Sequence, residues 1–248
     1  MAQYQVGIQL YTVRDAAAAD FRGTVAALAA MGYQGVELAG NYGGMTPNEL
    51  EAFLRALGLE LAGQHVSLAD IGNPGSDPYR YAVAAGCKFL TTSLCGEVDK
   101  DWKGTIRQVA AAAATAKAAG MIFTYHNHAQ EFARIDGVYA LDMLYQQTDP
   151  GAVQGELDTF WIKTGGVDPV GYIAQYPGRV PQLHIKDRDA ATKSFTEVGC
   201  GLLDWPAIFA ASVNAGARWM IVEQDTCPGP SLESARKSID YLKRAGLA

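Results

Sequence analysis

Short apolar stretches alternate with longer amphipathic ones from one end of this chain to the other. Residues 5–10 (QVGIQL) read as a strand, and residues 11–15 leave it with polar groups. Phe21, Val25 and Leu28 then repeat at helical spacing as far as Met31, and Gly32 supplies the stop. A second strand over 35–38 runs into a Gly-rich loop, Gly40 to Gly44. Thr46-Pro47-Asn48-Glu49 opens the next helix with a capping box and a proline in its first turn. Further strands are expected over residues 59–66, 88–91, 121–125, 153–158, 180–185 and 219–223, with helices over 77–86, 102–119, 138–147, 169–175, 204–215 and 231–244. That makes eight strand–helix units with no Pro/Gly/Ser linker between them. The pattern predicts an α/β chain in which residues 1–248 form one (β/α)8 barrel domain. A doubly wound open sheet is the rival, but no Gly-x-Gly-x-x-Gly follows any of these strands.

The chemistry sits where the strands stop. Residues 121–125 lead straight into His126-Asn127-His128, with Glu131 just beyond. His65 closes the third strand and His184 the seventh, so all 4 histidines lie at expected strand ends. Asp158 ends the sixth strand after Glu156, and Glu223 ends the eighth. Barrels of this class build their active sites from several strand ends at the C-terminal face. A carboxylate in such a position is also an ordinary helix N-cap or arginine partner, and an imidazole pair can be structural. The conjunction favours a site. Strands five to eight are neighbours round a barrel, so Glu131, Asp158, His184 and Glu223 can converge there. Three carboxylates and an imidazole suit one divalent ion (Mn²⁺, Mg²⁺, Co²⁺ or Zn²⁺), which would relieve the repulsion among the acids.

Bulk properties narrow the classes. With 49% hydrophobic and 19% charged residues, the chain has the composition of a well-packed globular protein. Its net charge of −6, without a Lys/Arg cluster, argues against nucleic-acid partners. No apolar run approaches a membrane span, and the first residues lack a basic start and apolar segment, so a cytoplasmic protein is expected. Cys87, Cys95, Cys200 and Cys227 show no Cys-x-x-Cys spacing and read as free thiols.

The segments Gly7–Arg14, Met31–Leu38, Tyr125–Phe132, Glu156–Trp161, His184–Asp187 and Val222–Asp225 together resemble the xylose isomerase-like barrel superfamily, in its sugar phosphate isomerase/epimerase branch. The resemblance implies metal ligands at Asp158, His184 and Glu223. The fourth ligand is expected at Glu131, with His126 as the alternative. It implies a sugar isomerase or epimerase that removes a proton beside a metal-polarised carbonyl of a keto-sugar or polyol, with Glu131, Glu223 and His126 as the acid–base groups. His65, His128 and Lys186 would bind hydroxyls or balance charge. Glu37 would close the site from strand two, unless it pairs with Arg14, and Trp161 would offer a face to the sugar ring. The alternative within the family is a dehydratase or lyase of a 3-keto sugar, glycoside or inosose-like substrate. An endonuclease for abasic DNA would want a multi-zinc cluster and a basic groove; a non-catalytic sugar binder would lack metal-dependent turnover. A small-molecule sugar is thus the expected partner, with homo-oligomer formation left open.

Overall fold

The structure is a computed structural model that describes residues 4–94 and 101–248. Eight parallel strands close into a barrel: β1 (Gln5–Gln9), β2 (Gly35–Leu38), β3 (Glu60–His65), β4 (Phe89–Thr92), β5 (Ile122–His126), β6 (Val153–Asp158), β7 (Gln182–Ile185) and β8 (Trp219–Val222). β8 pairs with β1 through Gln5↔Trp219 to Ile8↔Val222, which completes the ring. The helices outside it include α1 (Phe21–Met31), α2 (Pro47–Ala56), α3 (Asp77–Ala84), α4 (Trp102–Ala118), α5 (Ala140–Gln146), α6 (Pro169–Ile173), α7 (Trp205–Ala215) and α8 (Ser231–Arg244). This is the (β/α)8 barrel that the alternation predicts.

Local chemistry accounts for the helix starts and stops. The Thr46/Glu49 capping box forms as expected, and Asp204 caps α7 by accepting from the Ala207 N–H at 3.1 Å. Gly32 ends α1 with φ +98°, a conformation that costs a residue with a Cβ far more. Several short elements depart from the expectation. Arg14–Ala19 and Thr159–Thr164 are helical, and two small antiparallel ribbons, 134–135 with 138–139 and 187–188 with 195–196, stand at the barrel mouth. Val138 and Tyr139 therefore belong to a ribbon, and α5 begins at Ala140. None of these elements is long enough for its periodicity to show in the sequence.

Strand alternation sorts the side chains into two sets. Ile8, Leu90, Phe123, Leu157, Leu183 and Met220, all buried, belong to the apolar core between barrel and helices. The other set fills the barrel interior and is unusually polar towards its C-terminal end. At the N-terminal end Trp219 lies against Gly7 and Gly35, where a Cβ on Gly35 would come within 2.6 Å of the indole. One layer up, Thr91, Thr124 and Gln182 are linked by hydrogen bonds. Above them the strand ends present His65, His126, Glu156 and His184.

Cys87, Cys200 and Cys227 are free thiols, while Cys95 lies outside the described residues. Among the described residues no helix is long and apolar enough to cross a membrane.

Candidate metal centre

His126 Nε2 stands 3.7 Å from Asp158 Oδ2, and His184 Nδ1 stands 2.6 Å from Glu223 Oε2. One donor atom from each of these four residues fits within a span of 4.8 Å, and all four side chains are buried. They come from the ends of β5, β6, β7 and β8, four adjoining staves. Asp158 fills both roles that its position allows. Its Oδ1 accepts from the Trp161 N–H at 2.9 Å as a helix cap, while Oδ2 is buried without a hydrogen-bond partner. That oxygen faces the His126 imidazole and forms an ion pair with the Lys186 ammonium at 3.2 Å, so it already draws positive charge. Two imidazoles and two carboxylates are also a donor set that zinc, manganese or cobalt accepts.

The site is built on a second layer of acids. Glu156 is two residues before Asp158 and so faces the same way, one level lower. Its Oε1 lies 2.7 Å from His65 Nε2 and 3.1 Å from both His126 Nδ1 and His184 Nε2. Glu37 Oε2 contacts His184 Nε2 at 2.6 Å and accepts from Gln9 Nε2 at 2.8 Å. His65, His126, Glu156 and His184 thus form a second compact donor group. With Glu156 one level below Asp158, this group lies beneath the first, and the two share His126 and His184. Asn127 Oδ1 accepts the Asp158 N–H at 3.0 Å, and Thr159 Oγ1 donates to the Lys186 carbonyl at 2.9 Å, tying the ends of β5, β6 and β7 together.

Charge in this enclosure is strongly partitioned. Lys186 Nζ sits 2.7 Å from Glu223 and Asp225 and 3.2 Å from Asp158. Burial alone would lower its pKa, but those three carboxylates reverse the effect and keep it an ammonium. A permanently protonated lysine is a charge-balancing group, not a Schiff-base nucleophile. Burial pushes Asp158 up to about 6 and Glu37 up to about 7, the latter with help from Glu156. His184, desolvated yet flanked by Glu156, Glu37 and Glu223, is held well above the usual imidazole range. Burial, and then the Lys186 ammonium, pull His128 down to about 4.

The residues expected from the sequence are largely brought together, with one correction. Glu131 does not join the donor group. Its Oε1 accepts from Tyr125 Oη at 2.9 Å and its Oε2 from the His128 N–H at 2.8 Å. Tyr125 and His126 are successive strand residues and face opposite sides of the barrel wall. Tyr125 lies edge-on to Trp102 of α4, so the carboxylate that pairs with it is drawn outward. His126 takes the inward position. Glu37 is likewise not paired with Arg14, which donates to the carbonyls of Tyr11 and Asp225. Trp161 lies 5.3 Å from the His128 ring, and both carry a buried ring nitrogen without a partner, Trp161 Nε1 and His128 Nδ1.

Three neighbours were not singled out from the sequence. Glu156 was legible through its i−2 relation to Asp158. Asp225 follows Glu223 closely, but its contact with Lys186 depends on how the chain turns after β8. Phe195 stacks on Phe160 at 4.0 Å and meets Trp161 edge-on at 5.6 Å. It arrives on the ribbon after β7, where nothing in the local pattern announced it.

A family model described as xylose isomerase-like TIM barrel matches residues 25–245. The chain belongs to that family. It is 26% identical to an inosose dehydratase of Geobacillus kaustophilus, over 88% of this chain and 84% of that protein. The crystal structure of a sugar phosphate isomerase/epimerase from Parabacteroides distasonis superposes with a TM-score of 0.84 at 23% identity, covering 100% of this chain and 96% of the other. An IOLI protein crystallised with a bound zinc atom superposes at 0.75 with 12% identity, covering 98% and 96% of the two chains. These two structures speak to the fold alone.

Proposed function

We propose that this protein is a divalent-metal-dependent lyase, a dehydratase of a keto-sugar or keto-polyol, in which proton loss beside a carbonyl is followed by departure of a β-hydroxyl as water. The observation that carries the reading is the convergence of His126, Asp158, His184 and Glu223 at adjoining strand ends, with the Lys186 ammonium ion-paired to Asp158 Oδ2 beside them. Those four residues would hold the ion. What the ion supplies when bound is Lewis acidity, which polarises the carbonyl and acidifies the adjoining C–H.

The chain's own groups divide the remaining work. Glu223, at the rim of β8, takes the proton from the carbon next to the carbonyl. Lys186 balances the negative charge that develops on the substrate oxygens. The electron pair left by the proton forms the new C=C bond as the C–O bond to the β-hydroxyl breaks. His65, which stays partly exposed, feels burial lowering its pKa, but Glu37 and Glu156 raise it overall. Of the two imidazoles whose pKa the surrounding carboxylates raise, His65 and His184, it is the partly exposed one, and it gives the departing hydroxyl its proton. His128 is neutral near pH 7 and holds a substrate hydroxyl through its free Nδ1, with Trp161 and Phe195 forming an apolar wall.

Elimination is preferred to epimerisation because β5 supplies an imidazole where a third metal-side carboxylate would stand, and Glu131 is turned away. The names of the inosose dehydratase relatives support the same choice. The test is incubation of metal-stripped protein, reloaded in turn with Mn²⁺, Co²⁺, Zn²⁺ or Mg²⁺, with keto-inositols and ketohexoses in D₂O. A product lighter by one water, formed only with metal, is expected. Solvent deuterium in an intact skeleton would move the assignment to an isomerase or epimerase, and turnover unaffected by chelation would overturn the metal reading itself.

A further inference from the structure

Glu156 is fully buried in the barrel and belongs to the lower donor group, outside the four residues that would hold the ion. Its position nevertheless controls both imidazoles among those four. His126 shows one nitrogen to Glu156 (Nδ1, 3.1 Å) and the other to Asp158 (Nε2, 3.7 Å). His184 shows Nε2 to Glu156 at 3.1 Å and Nδ1 to Glu223 at 2.6 Å. A carboxylate only accepts hydrogen bonds when ionised, so each nitrogen facing Glu156 must carry its proton. For His126 the opposite nitrogen, Nε2, is then the one whose lone pair can be offered to an ion, whereas His184 Nδ1 also faces a carboxylate, Glu223, and must shed its proton to do so.

The two imidazoles do not depend on Glu156 equally. His184 Nε2 has a second acceptor, Glu37 Oε2 at 2.6 Å, and it would keep its orientation without Glu156. For His126 Nδ1, Glu156 is the one carboxylate within bonding distance among the described residues. The other Glu156 oxygen accepts from Thr91 Oγ1 at 3.3 Å, which fixes the carboxylate plane from below.

We propose that Glu156 is the positioning residue that sets the tautomer of His126 and aims its Nε2 at the ion, with Glu37 doing the corresponding work for His184. This inference rests on the metal reading above. It adds a specific division of labour between two buried carboxylates that never touch the ion. Partners of this kind to a ligating imidazole raise its basicity, and their loss typically weakens metal binding by about 10- to 100-fold.

Two measurements test it. In metal-free wild-type protein, long-range ¹H–¹⁵N spectra of the histidine rings should show the His126 proton on Nδ1. In Glu156→Gln, which keeps the volume but removes the charge, that preference should be lost. Competition against a chromophoric chelator should then give a Zn²⁺ or Co²⁺ affinity about 10- to 100-fold weaker than wild type, with the far-UV circular dichroism unchanged. Glu37→Gln should leave the His126 tautomer as it is. An Nε2–H tautomer on His126 in the wild type, or a Glu156→Gln affinity within about threefold of wild type, would overturn the proposal. The tautomer measurement needs no variant, so it decides the point even if Glu156→Gln fails to fold. Failure of the wild type to bind any ion would strike the metal reading, while the His126 tautomer would still report on Glu156.

Discussion

The two halves of the barrel mouth are built for different tasks. From β5 to β8 the strand ends carry His126, Asp158, His184 and Glu223, whose donor atoms meet. From β1 to β4 the inward positions include Gly7, Gly35 and Gly63, and two polar groups there, Glu37 (held by Gln9) and His65, reach across to touch His184 and Glu156 of the first half. One half holds; the other leaves room and braces. The contrast explains why so many ionisable groups can share one enclosure. Each carboxylate of the bracing half lies against an imidazole, so like charges do not face one another without a proton or cation between them.

The largest effect that distinguishes the halves should come from the holding side. Asp158→Asn keeps the side-chain shape and the cap to the Trp161 N–H, but replaces the charged Oδ2, ion-paired to Lys186, with an amide nitrogen. Losing one anionic ligand should lower metal-dependent turnover by about two to three orders of magnitude, equivalent to roughly 3–4 kcal/mol. Thermal unfolding of the metal-free protein should change little. Turnover within tenfold of wild type would show that Asp158 is a helix cap and no more.

Glycines sharpen the comparison on the bracing side. A Cβ at position 63 would lie 2.6 Å from Glu37 Oε1 and 2.7 Å from Gln182 Nε2, so Gly63→Ala must displace the carboxylate that steadies His184. A Cβ at position 35 would instead strike the Trp219 ring and the Glu60 carbonyl at the barrel floor. Overpacking of this kind costs about 1–3 kcal/mol, so both variants should unfold at lower denaturant. Only Gly63→Ala should also lose turnover per folded molecule, by about tenfold, which corresponds to one displaced interaction of roughly 1.4 kcal/mol. Equal losses in the two would mean that the floor and the bracing carboxylate are mechanically one unit.

Much of this arrangement could be read from the chain itself, for a physical reason. Strand ends in a closed barrel all point to one rim, so His65, His126, His184, Asp158 and Glu223 needed only their strands to be found. What could not be read was rotation about the wall. Glu131 follows β5 by five residues, across a 3-10 turn, and nothing in the spacing says which side of the barrel its carboxylate takes. Its Tyr125 partner decides that. Glu156 was present in the alternation but concealed by its more conspicuous neighbour Asp158. Phe195 and Asp225 are placed by turns whose residues are compatible with many conformations, and such positions become legible only with coordinates.

Position 131 therefore offers the smallest expected effect and the most direct check on that rotation. In Glu131→Gln the amide oxygen can keep the His128 N–H while its NH₂ donates to Tyr125 Oη, which is able to accept. The substitution exchanges a buried carboxylate arrangement for a neutral one with the same two hydrogen-bond partners, and should cost about 1 kcal/mol of stability. Metal affinity and turnover should stay within about threefold of wild type, a change below roughly 0.7 kcal/mol. His126→Gln removes a nitrogen that faces Asp158 and should weaken metal binding far more. The two variants form a pair whose order matters more than either magnitude. If Glu131→Gln abolished metal binding while His126→Gln spared it, the inward and outward sides of β5 would have to be exchanged. The ligand from that strand would then be a carboxylate, and the chief structural reason for preferring elimination over epimerisation would disappear with it.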